Sequence, residues 1–518
     1  MLLGTALKES AQRAPAAEAI VDGERRWTYA QWNAEVNRVA HGLEHLGIGV
    51  GDRVACSLTN RVELLTVMFA AQKLGALAVP LNYRLTPAEL DVIAADCAPA
   101  AWCFESLTAP MLAETAASRG PGIGWIACDG ESPIEAHAYA DLLRGAQTEP
   151  AEPRIASGDA SLIMYTSGTT GKPKGVVLSH HAQFVNSLLM LAELGLTAAD
   201  RTLHIAPLYH VAAYHVIALP LLLVGGANVL VRRYSADAVA AQIEQEGITS
   251  VLGAPTHFEL WAAQGRPPSH GARQRLRSAY ITGAPARAET VAWIRERLTP
   301  GLWNVYGQTE ASSLITLLPP GEMHRMGALN CIGRNLIGME TRVVPPGESY
   351  ERDGTEPDIG ELVARGDKLM THYYGAPEKT AAKLRNGWLH TGDLVQRDAD
   401  GYFYLMGRVD DLIITGGENV YPLEIEQVLV ESPQVADCAV VGVPDPVWGQ
   451  VIAAFLVPQG DSCDVRAIAS FAEGRLATHK RPRRWAVIDA IPRNPSGKVL
   501  LRELRARTSI LREIAEIR

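Results

Sequence analysis

The segment YTSGTTGKPKGVVLSHH, residues 165–181, is the most chemically informative stretch of this chain of 518 amino acids. The apolar run Leu162–Met164 precedes it, so the segment leaves a predicted strand. Its first ten residues combine two glycines (Gly168 and Gly171), two lysines (Lys172 and Lys174) and four serine or threonine hydroxyls (Thr166, Ser167, Thr169 and Thr170). Glycine lets the backbone approach a ligand closely, and exposed N–H groups, hydroxyls and cations together suit phosphate oxygens. The segment therefore predicts a polyphosphate-binding loop.

This loop does not have the Walker pattern, which requires a glycine, four residues and then Gly-Lys-Ser/Thr. Lys172 is followed by Pro173, and the residue five positions before Gly171 is Thr166. A proline also removes the amide that a helix N-terminus would offer to phosphate. A P-loop ATPase or GTPase is therefore disfavoured.

Length and charge restrict the remaining possibilities. A single core rarely exceeds about 300 residues, so 518 residues predict at least two domains. The 48 basic and 57 acidic side chains give a net charge of −9, which argues against a general nucleic-acid binder. The last 48 residues nevertheless hold 12 basic and 5 acidic side chains. This segment is either a solvated helical face or a lid that carries cations to an anionic substrate.

Cysteine usage and hydropathy indicate a cytoplasmic protein without a membrane span. The seven cysteines form no CxxC pair, so a disulfide framework or zinc site is not expected. We expect no signal peptide, because Lys8 and Glu9 interrupt the short apolar N-terminus. The most apolar stretch, 216–231, is shorter than the roughly 20 residues of a membrane helix and contains Pro220. It predicts a buried helix followed by a buried strand.

The N-terminal half alternates helical and strand patterns. Residues 32–48 and 63–76 have helical apolar spacing, and the short apolar runs 52–58 and 77–82 follow them as strands. Such alternation predicts α/β layers with largely parallel sheets. No fixed-period repeat is visible, which disfavours solenoids and propellers. Between about 345 and 410 the pattern changes to short strands separated by glycine.

Further motifs follow the loop in a fixed order. They are APLYHV (206–211), NVYGQTE (304–310), GELVARG (360–366), WLHTGDL (388–394), GRVDDLIITGGENVYPLEIE (407–426) and NPSGKVLLREL (494–504). In this set and order, over about residues 5–504, the chain resembles the adenylate-forming enzymes, namely acyl- and aryl-CoA synthetases, non-ribosomal adenylation domains and firefly-type luciferases. Within them it is most similar to aryl-CoA ligases of the 4-chlorobenzoate–CoA ligase type.

The resemblance implies an α/β fold with a large N-terminal domain of layered sheets and helices, residues 1–409, and a small mobile α+β lid domain, residues 410–518. A hinge is expected near Asp410, although Asp411 is an equally charged neighbour. The implied reaction joins a carboxylate to the α-phosphate of ATP, with Mg²⁺, and releases pyrophosphate. The acyl group then passes to coenzyme A. Lys498 is needed in the first step and must leave for the second.

The resemblance also carries over site residues. Lys498, Thr309 and His210 are the implied catalytic residues, together with Glu310 as the magnesium ligand. The implied ATP- and AMP-binding residues are Thr166, Ser167, Gly168, Thr169, Thr170, Gly171, Lys174, Gly283, Ala284, Pro285, Asn304, Tyr306, Gly307, Thr309, Asp393 and Arg408. The implied coenzyme A site comprises Gly416, Gly417, Trp448, Arg481 and Arg483, since guanidinium groups bind phosphate in a bidentate manner.

The acyl pocket is expected beyond His210, with lining residues at Leu189, His210, Val211, Ala212, Leu252, Val305, Ser312 and Ser313. Several are small, which favours a bulky, aromatic or fatty acid, and none carries a charge that would pair with a second carboxylate. Three alternatives stay open: an adenylating enzyme that loads a carrier protein, one that performs only the adenylation half-reaction, and a non-catalytic binding protein of the same fold. The expected partners are ATP, coenzyme A and a small carboxylic acid, and the chain is expected to be a monomer or homodimer.

Overall fold

The computed structural model describes residues 1–166, 173–326, 331–348, 356–493 and 499–514. The chain divides into two compact units. The first unit comprises Met1–Met323, Gly333–Glu340 and Ala364–Leu389, and the second comprises His324–Ile332, Thr341–Val363 and His390–Arg518. The predicted boundary at residue 410 falls inside the second unit and stays a prediction.

The strands are, in chain order, β1 (Glu18–Asp22), β2 (Arg25–Thr28), β3 (Arg53–Ser57), β4 (Leu77–Pro80), β5 (Ala101–Phe104), β6 (Gly124–Ala127), β7 (His137–Ala138), β8 (Ala160–Thr166), β9 (Lys174–Ser179), β10 (Arg201–His204), β11 (Ala227–Leu230), β12 (Ser250–Gly253), β13 (Ser278–Ile281), β14 (Leu302–Gln308), β15 (Ser313–Leu318), β16 (Cys331–Asn335), β17 (Glu340–Val344), β18 (Ile359–Arg365), β19 (His372–Tyr373), β20 (Leu384–Arg385), β21 (Trp388–Arg397), β22 (Phe403–Arg408), β23 (Ile413–Thr415), β24 (Glu418–Val420), β25 (Val435–Asp445), β26 (Gly449–Pro458) and β27 (Arg484–Val487).

The α-helices are α1 (Leu3–Arg13), α2 (Tyr29–His45), α3 (Val62–Lys73), α4 (Pro87–Cys97), α5 (Ala109–Ala113), α6 (Tyr139–Leu142), α7 (His180–Leu194), α8 (Val211–Ala213), α9 (Leu219–Val224), α10 (Ala236–Gln245), α11 (Pro255–Gln264), α12 (His270–Arg275), α13 (Ala288–Arg297), α14 (Pro377–Lys383), α15 (Pro422–Val430), α16 (Val465–Glu473) and α17 (Leu501–Ala506).

The first unit contains two sheets. In one, the strand order is β15-β14-β13-β12-β10-β11-β1-β2, and the run from β14 to β1 is parallel. In the other, the order is β19-β9-β8-β4-β3-β5-β6-β7, and the run from β8 to β7 is parallel. Strands β4, β11, β12 and β13 are buried throughout, as expected for parallel strands that helices cover on both faces. The predicted α/β class is confirmed.

Local sequence signals explain several helices. Thr28 and Gln31 form a capping box at the start of α2, and Thr86 and Glu89 form another at the start of α4. The predicted helices at 32–48 and 63–76 correspond to α2 and α3. The apolar stretch from residue 216 contains the end of a π-helical segment (Tyr214–Ala218), then α9 and the buried strand β11. No helix within the described ranges has both the length and the hydropathy to cross a membrane.

The second unit is built mainly of antiparallel strands. One sheet has the order β24-β23-β26-β25, with β27 parallel to β26, and helices α15 and α16 cover one face of it around Ile425, Val440 and Ile468. Strands β17, β18, β21 and β22 lie side by side in that order. The short strands predicted between about residues 345 and 410 include β18, which contains most of GELVARG (360–366), and β22.

Candidate active site

One edge of the parallel run from β14 to β1 in the first unit collects most of the predicted N-terminal site. Neighbouring strands β10, β12, β13 and β14 are parallel, so their carboxyl ends lie at the same edge. Strand β10 leads to His210, β13 leads to Gly283, and β14 continues into Thr309 and Glu310. In open α/β sheets, ligands bind at the carboxyl ends of the strands. The fold therefore brings these sequence-predicted residues to one edge.

The end of β14 depends on Gly307. The register between β14 and β15 shifts between Tyr306 and Gly307, and a Cβ atom at Gly307 would lie 1.8 Å from the carbonyl oxygen of Ser313. Only glycine permits that approach. A 3₁₀ turn over Thr309–Ala311 follows directly and buries the Thr309 and Glu310 side chains almost completely. Gly307 of the NVYGQTE motif therefore determines where the backbone places the Thr309 and Glu310 side chains.

Glu310 has one restrained and one available carboxylate oxygen. The hydroxyl of Tyr373 donates a hydrogen bond of 2.6 Å to Oε1, whereas Oε2 accepts none from the residues that the structure describes. Magnesium prefers carboxylate oxygens and keeps most of its remaining ligands as water or phosphate. A single oriented carboxylate with one available oxygen therefore fits the predicted magnesium ligand.

Tyr373 also connects Glu310 to the predicted phosphate loop. It lies in β19, which pairs with β9, and its ring centroid is 5.5 Å from the Lys174 Nζ atom. Lys174 in turn pairs with Thr166 across the β8–β9 hairpin. The predicted loop residues Ser167, Gly168, Thr169, Thr170 and Gly171 lie outside the described residues. Sequence reasoning did not find Tyr373, because nothing local links it to a carboxylate 63 positions earlier.

His210 precedes the short helix α8 and accepts a hydrogen bond of 3.2 Å from the Ala212 amide through Nδ1. Burial lowers the pKa of its imidazole, although solvent still reaches the side chain. Desolvation together with solvent access is typical of a cleft wall. The π-helical segment that follows α8 is a geometry often found at functional sites. A neutral imidazole at this place can contact a carboxylic acid without adding charge.

The predicted acyl-pocket residues lie on several elements of the first unit. Leu189 is on α7 and partly exposed, and it packs against Gly338. The other six besides His210 are buried: Val211, Ala212, Leu252, Val305, Ser312 and Ser313. Ser312 and Ser313 both have positive φ angles, 54° and 150°. Residues other than glycine rarely adopt such backbone angles unless the surrounding structure stabilises them.

The structure adds a lysine that sequence reasoning missed. Lys368 is fully buried, and its Nζ donates hydrogen bonds to the Leu314 carbonyl oxygen at 2.5 Å and to Asn186 Oδ1 at 3.0 Å. Burial lowers the pKa of this ammonium group to about 7. A single lysine between Asp367 and Leu369 gives no sequence signal that it turns inward.

The predicted adenine-binding segments are neighbours in the sheet. Strands β13 and β14 pair at Ile281 and Asn304, and the loop after β13 carries Gly283–Pro285 exposed to solvent. Gly283 has a φ of 89°, and a Cβ atom there would contact no described residue within 4 Å. This glycine is therefore needed for its backbone angle and not for space. Tyr306 is half-buried two residues after Asn304.

In the second unit, Asp393 and Arg408 face each other across β21 and β22, and the Asp393 Oδ1 and Arg408 Nη1 atoms are 2.8 Å apart. The part of β21 that precedes Asp393 is held by Glu361, a residue that the sequence motifs did not single out. Its carboxylate accepts hydrogen bonds from the Gly392 amide at 2.8 Å and lies 3.0 Å from His390 Nδ1. The buried Glu361 therefore orients the HTGD segment of β21.

The predicted coenzyme A residues of the second unit form a partial cluster. Gly416, with φ 59°, packs under Trp448, where a Cβ atom would lie 2.8 Å from the ring; Gly417 follows with φ 86°. The Arg483 guanidinium carbon lies 4.2 Å from the centroid of the Trp448 ring. Arg481 instead donates hydrogen bonds to two carbonyl oxygens, that of Glu473, the last residue of α16, and that of Leu476, which follows the helix. Its predicted phosphate contact stays a prediction.

Two predicted residues concern the lid. Lys498 lies outside the described residues. Asp410 is exposed in a 3₁₀ turn over Val409–Asp411, whereas Asp411 pairs with Arg505 of α17 at 2.9 Å. The two neighbouring aspartates are therefore distinguished by their contacts, and the hinge at Asp410 stays a prediction.

Comparison with known proteins gives matches along almost the whole chain. The family model described as AMP-binding enzyme matches residues 7–374, and the model described as AMP-binding enzyme C-terminal domain matches residues 424–498. A feruloyl-CoA synthase of Amycolatopsis sp is 37% identical over 513 residues, covering 98% of this chain and 99% of that protein. The long-chain-fatty-acid–CoA ligase FadD13 of Mycobacterium tuberculosis is 34% identical over 522 residues, covering 98% of each.

A solved structure gives the same result. The anthranilate CoA ligase AuaEII in complex with anthranoyl-AMP superimposes with a TM-score of 0.84 at 26% identity, covering 98% of this chain and 97% of that one. The chain therefore belongs to the AMP-binding enzyme family, which confirms the resemblance to adenylate-forming enzymes. Within that family it is an AMP-forming acid–thiol ligase, as the sequence predicted.

Proposed function

We propose that the chain activates a hydrophobic monocarboxylic acid with ATP and transfers the acyl group to coenzyme A. The acid first attacks the α-phosphate, which gives acyl-adenylate and pyrophosphate. The thiol of coenzyme A then attacks the acyl carbon, which gives the acyl-CoA thioester and AMP. The observation that carries the proposal is the single sheet edge that gathers His210, the Gly283–Pro285 loop and the Thr309–Glu310 turn, with Tyr373 joining that turn to the β8–β9 hairpin.

Adenylation is difficult because one anion must approach another, so donors and cations near the α-phosphate dominate the barrier. Such groups for the triphosphate come from Thr166, Lys174 and the loop between them. The Thr309 hydroxyl donates a hydrogen bond to the α-phosphate. Glu310 is the protein ligand for Mg²⁺, which supplies positive charge against the phosphate oxygens when bound. Lys498 holds the substrate carboxylate and the α-phosphate together and withdraws before thioester formation, with Asp410 as the hinge.

The remaining residues orient the substrates. Tyr306 stacks on adenine, with Asn304 and the Gly283–Pro285 loop beside it. In the second unit, the paired Asp393 and Arg408 bind the ribose, and Trp448 with Arg483 provides a flat, cationic surface for the nucleotide of coenzyme A. His210 contacts the carboxylate end of the acyl group. Desolvation lowers the pKa of its imidazole, which favours the neutral form and thus a hydrogen bond to the carboxylate instead of an ion pair.

The acid is proposed to be bulky and uncharged apart from its reacting carboxylate. Ala212, Ser312 and Ser313 are small side chains at predicted pocket positions. The buried Lys368 donates to Asn186 and to a carbonyl oxygen, so its ammonium group is engaged and not presented to a second carboxylate. The similarity to an enzyme named for feruloyl-CoA and to one named for long-chain fatty acids agrees with an aromatic or fatty acyl group.

We also propose a cytoplasmic location. None of the seven cysteines forms a disulfide in the structure, and unoxidised thiols persist in a reducing compartment. ATP and coenzyme A would be available there.

A panel of acids tests the proposed substrate class. Acid-dependent pyrophosphate release is measured with ferulate, indoleacetate, a long-chain fatty acid, 2-succinylbenzoate and free amino acids. The strongest signal is expected with an uncharged aromatic or fatty acid. A strongest signal with an amino acid or dicarboxylate would contradict the proposed class. Thioester yields with coenzyme A and with a phosphopantetheinylated carrier protein are then compared, and a higher yield with the carrier would contradict the proposed acceptor.

A further inference from the structure

Lys368 is a fully buried lysine that the proposed mechanism does not use. Its side chain has no solvent exposure, and Nζ donates to Asn186 Oδ1 and to the Leu314 carbonyl oxygen. A buried charge is costly unless hydrogen bonds compensate it, so a buried lysine needs a reason. Since two of its three N–H groups are engaged and solvent does not reach it, Lys368 is not placed to act as an acid or base on a substrate.

The contacts of Lys368 converge on the turn at Ser312 and Ser313. Both serines have positive φ angles, which strains a backbone that carries a Cβ atom. The Ser312 hydroxyl donates to the Lys368 carbonyl oxygen, and the Ser313 hydroxyl donates to the same Asn186 oxygen that Lys368 contacts. The strained turn is therefore held by Lys368 and Asn186 from one side.

Residues 368–373 also hold Glu310, which lies at the other end of the turn. The Met370 amide donates a hydrogen bond of 2.8 Å to the Glu310 carbonyl oxygen, and the Tyr373 hydroxyl donates to the Glu310 carboxylate. Residues 368–373 thus contact residues 310–314 through Lys368, Met370 and Tyr373. The Glu310 carboxylate and the strained turn at Ser312 and Ser313 therefore belong to one hydrogen-bonded network.

We propose that Lys368 is a positioning residue for Glu310: its side-chain nitrogen holds the Leu314 carbonyl oxygen and the Asn186 oxygen to which Ser313 also donates, and it thereby fixes the backbone that aims the Glu310 carboxylate. This inference rests on the proposed function, in which Glu310 binds Mg²⁺. A lysine suits the role because its ammonium carries three donors at the end of a long stem, so it can hold a carbonyl and a side-chain oxygen at once. A methionine would fill the same space without holding either.

The test compares Lys368→Met with Lys73→Met. Lys73 is the matched control: it is also buried, and its Nζ contacts Asn33, Asn37 and Glu149 on helices and a loop that carry no predicted site residue. Two properties are measured, namely hydrogen–deuterium exchange of the ligand-free proteins over residues 309–315 and the Mg²⁺ concentration that half-saturates pyrophosphate release. The first readout does not depend on activity.

In Lys368→Met we expect exchange over residues 309–315 to become about tenfold faster and half-saturating Mg²⁺ to rise about fivefold, because hydrogen bonds from a charged donor are lost. Lys73→Met should leave both properties close to wild type. Adding Ser312→Gly to Lys368→Met should restore part of the Mg²⁺ dependence, since glycine adopts a positive φ without strain. No rescue, or equal Mg²⁺ dependence in the two lysine variants, would overturn the inference.

Lys368→Gln, which keeps one donor, is the second variant if Lys368→Met does not fold, and its expected values lie between those of wild type and methionine. If neither variant folds while Lys73→Met does, Lys368 serves folding and the positioning role is wrong. Failure of the proposed function looks different. Wild type would then release no acid-dependent pyrophosphate, or Glu310→Gln would leave the Mg²⁺ dependence unchanged.

Discussion

The hydroxyl of Tyr373 donates a hydrogen bond of 2.6 Å to Oε1 of Glu310, and the two residues lie 63 positions apart in the chain. The same tyrosine belongs to β19, the strand that pairs with β9 of the predicted phosphate-loop hairpin. A hydrogen bond to a carboxylate orients it and leaves its second oxygen for another ligand. Tyr373 thereby couples the predicted metal ligand to the predicted phosphate loop.

Replacing Tyr373 with Phe should therefore weaken the binding of Mg²⁺ without disturbing the fold. Because one hydrogen bond to a charged group is removed, half-saturating Mg²⁺ for pyrophosphate release should rise by about three- to tenfold. Tyr374→Phe is the matched control, since Tyr374 is adjacent but has no contact with Glu310 among the described residues. Identical Mg²⁺ titrations for the two variants would show that Tyr373 does not orient the carboxylate.

Two glycines should respond differently to alanine. At Gly307 a Cβ atom would meet the Ser313 carbonyl oxygen at 1.8 Å, so Gly307→Ala must separate β14 from β15. At Gly283 the new atom would meet nothing, and only the positive φ is unfavourable, which costs about 1 kcal/mol. Thermal unfolding should show a large loss of stability for Gly307→Ala and a small one for Gly283→Ala. Comparable losses would contradict the close approach at Gly307.

The sequence was informative where the signal is local. The periodicity of residues 32–48 and 63–76 predicted α2 and α3, and the interrupted apolar stretch from residue 216 predicted a buried helix and strand. The motif order predicted the family, which the family models confirm. The periodic patterns and each single motif lie within short segments, and the order of the motifs is read along the chain, so no knowledge of distant contacts was needed.

Contacts between distant residues were not predictable. Tyr373, Lys368 and Glu361 each act on a segment more than 25 positions away, and their local sequence resembles that of many surface residues. The contacts of Arg481 were likewise not predictable: its guanidinium donates to the carbonyl oxygens of Glu473, the last residue of α16, and of Leu476, just after the helix. Its contact with coenzyme A stays a prediction.

The second unit should show a pH-dependent stability that originates in Glu426. The Val440 amide donates to its Oε1 atom at 2.8 Å, and burial raises the pKa of the carboxyl from 4.5 to about 7. The folded state therefore holds a proton that the unfolded state releases, so this group's contribution to stability falls as pH rises from 4.5 to about 7. Above that range the buried charge is a constant cost.

Glu426→Gln removes this cost. The variant should unfold at a temperature a few degrees higher than wild type at pH 8, roughly the shift that 1 kcal/mol produces. The difference should become small at pH 5, where the wild-type carboxyl is protonated in the folded protein. Scanning calorimetry at several pH values measures this, and a difference between variant and wild type that does not change with pH would refute the assignment.

Trp448 should affect the second half-reaction alone. Loss of the indole ring removes a stacking surface and the Arg483 contact, and stacking on a base contributes about 1–3 kcal/mol. Trp448→Ala should therefore raise the KM for coenzyme A by about tenfold or more, while pyrophosphate release without coenzyme A stays near wild type. Val447→Ala alters the neighbouring exposed side chain and is the control. An equal loss in both half-reactions would count against a coenzyme A contact.

The central claim is that the acid's carboxylate attacks the α-phosphate of ATP. The most direct measurement supplies the best acid of the panel with both carboxylate oxygens as oxygen-18, together with ATP, Mg²⁺ and coenzyme A, and determines the label by mass spectrometry. The expected result is one labelled oxygen in AMP and one in the acyl-CoA thioester, because the C–O bond to the transferred oxygen breaks in the second step. Unlabelled AMP, or label in inorganic phosphate together with ADP, would contradict an acyl-adenylate.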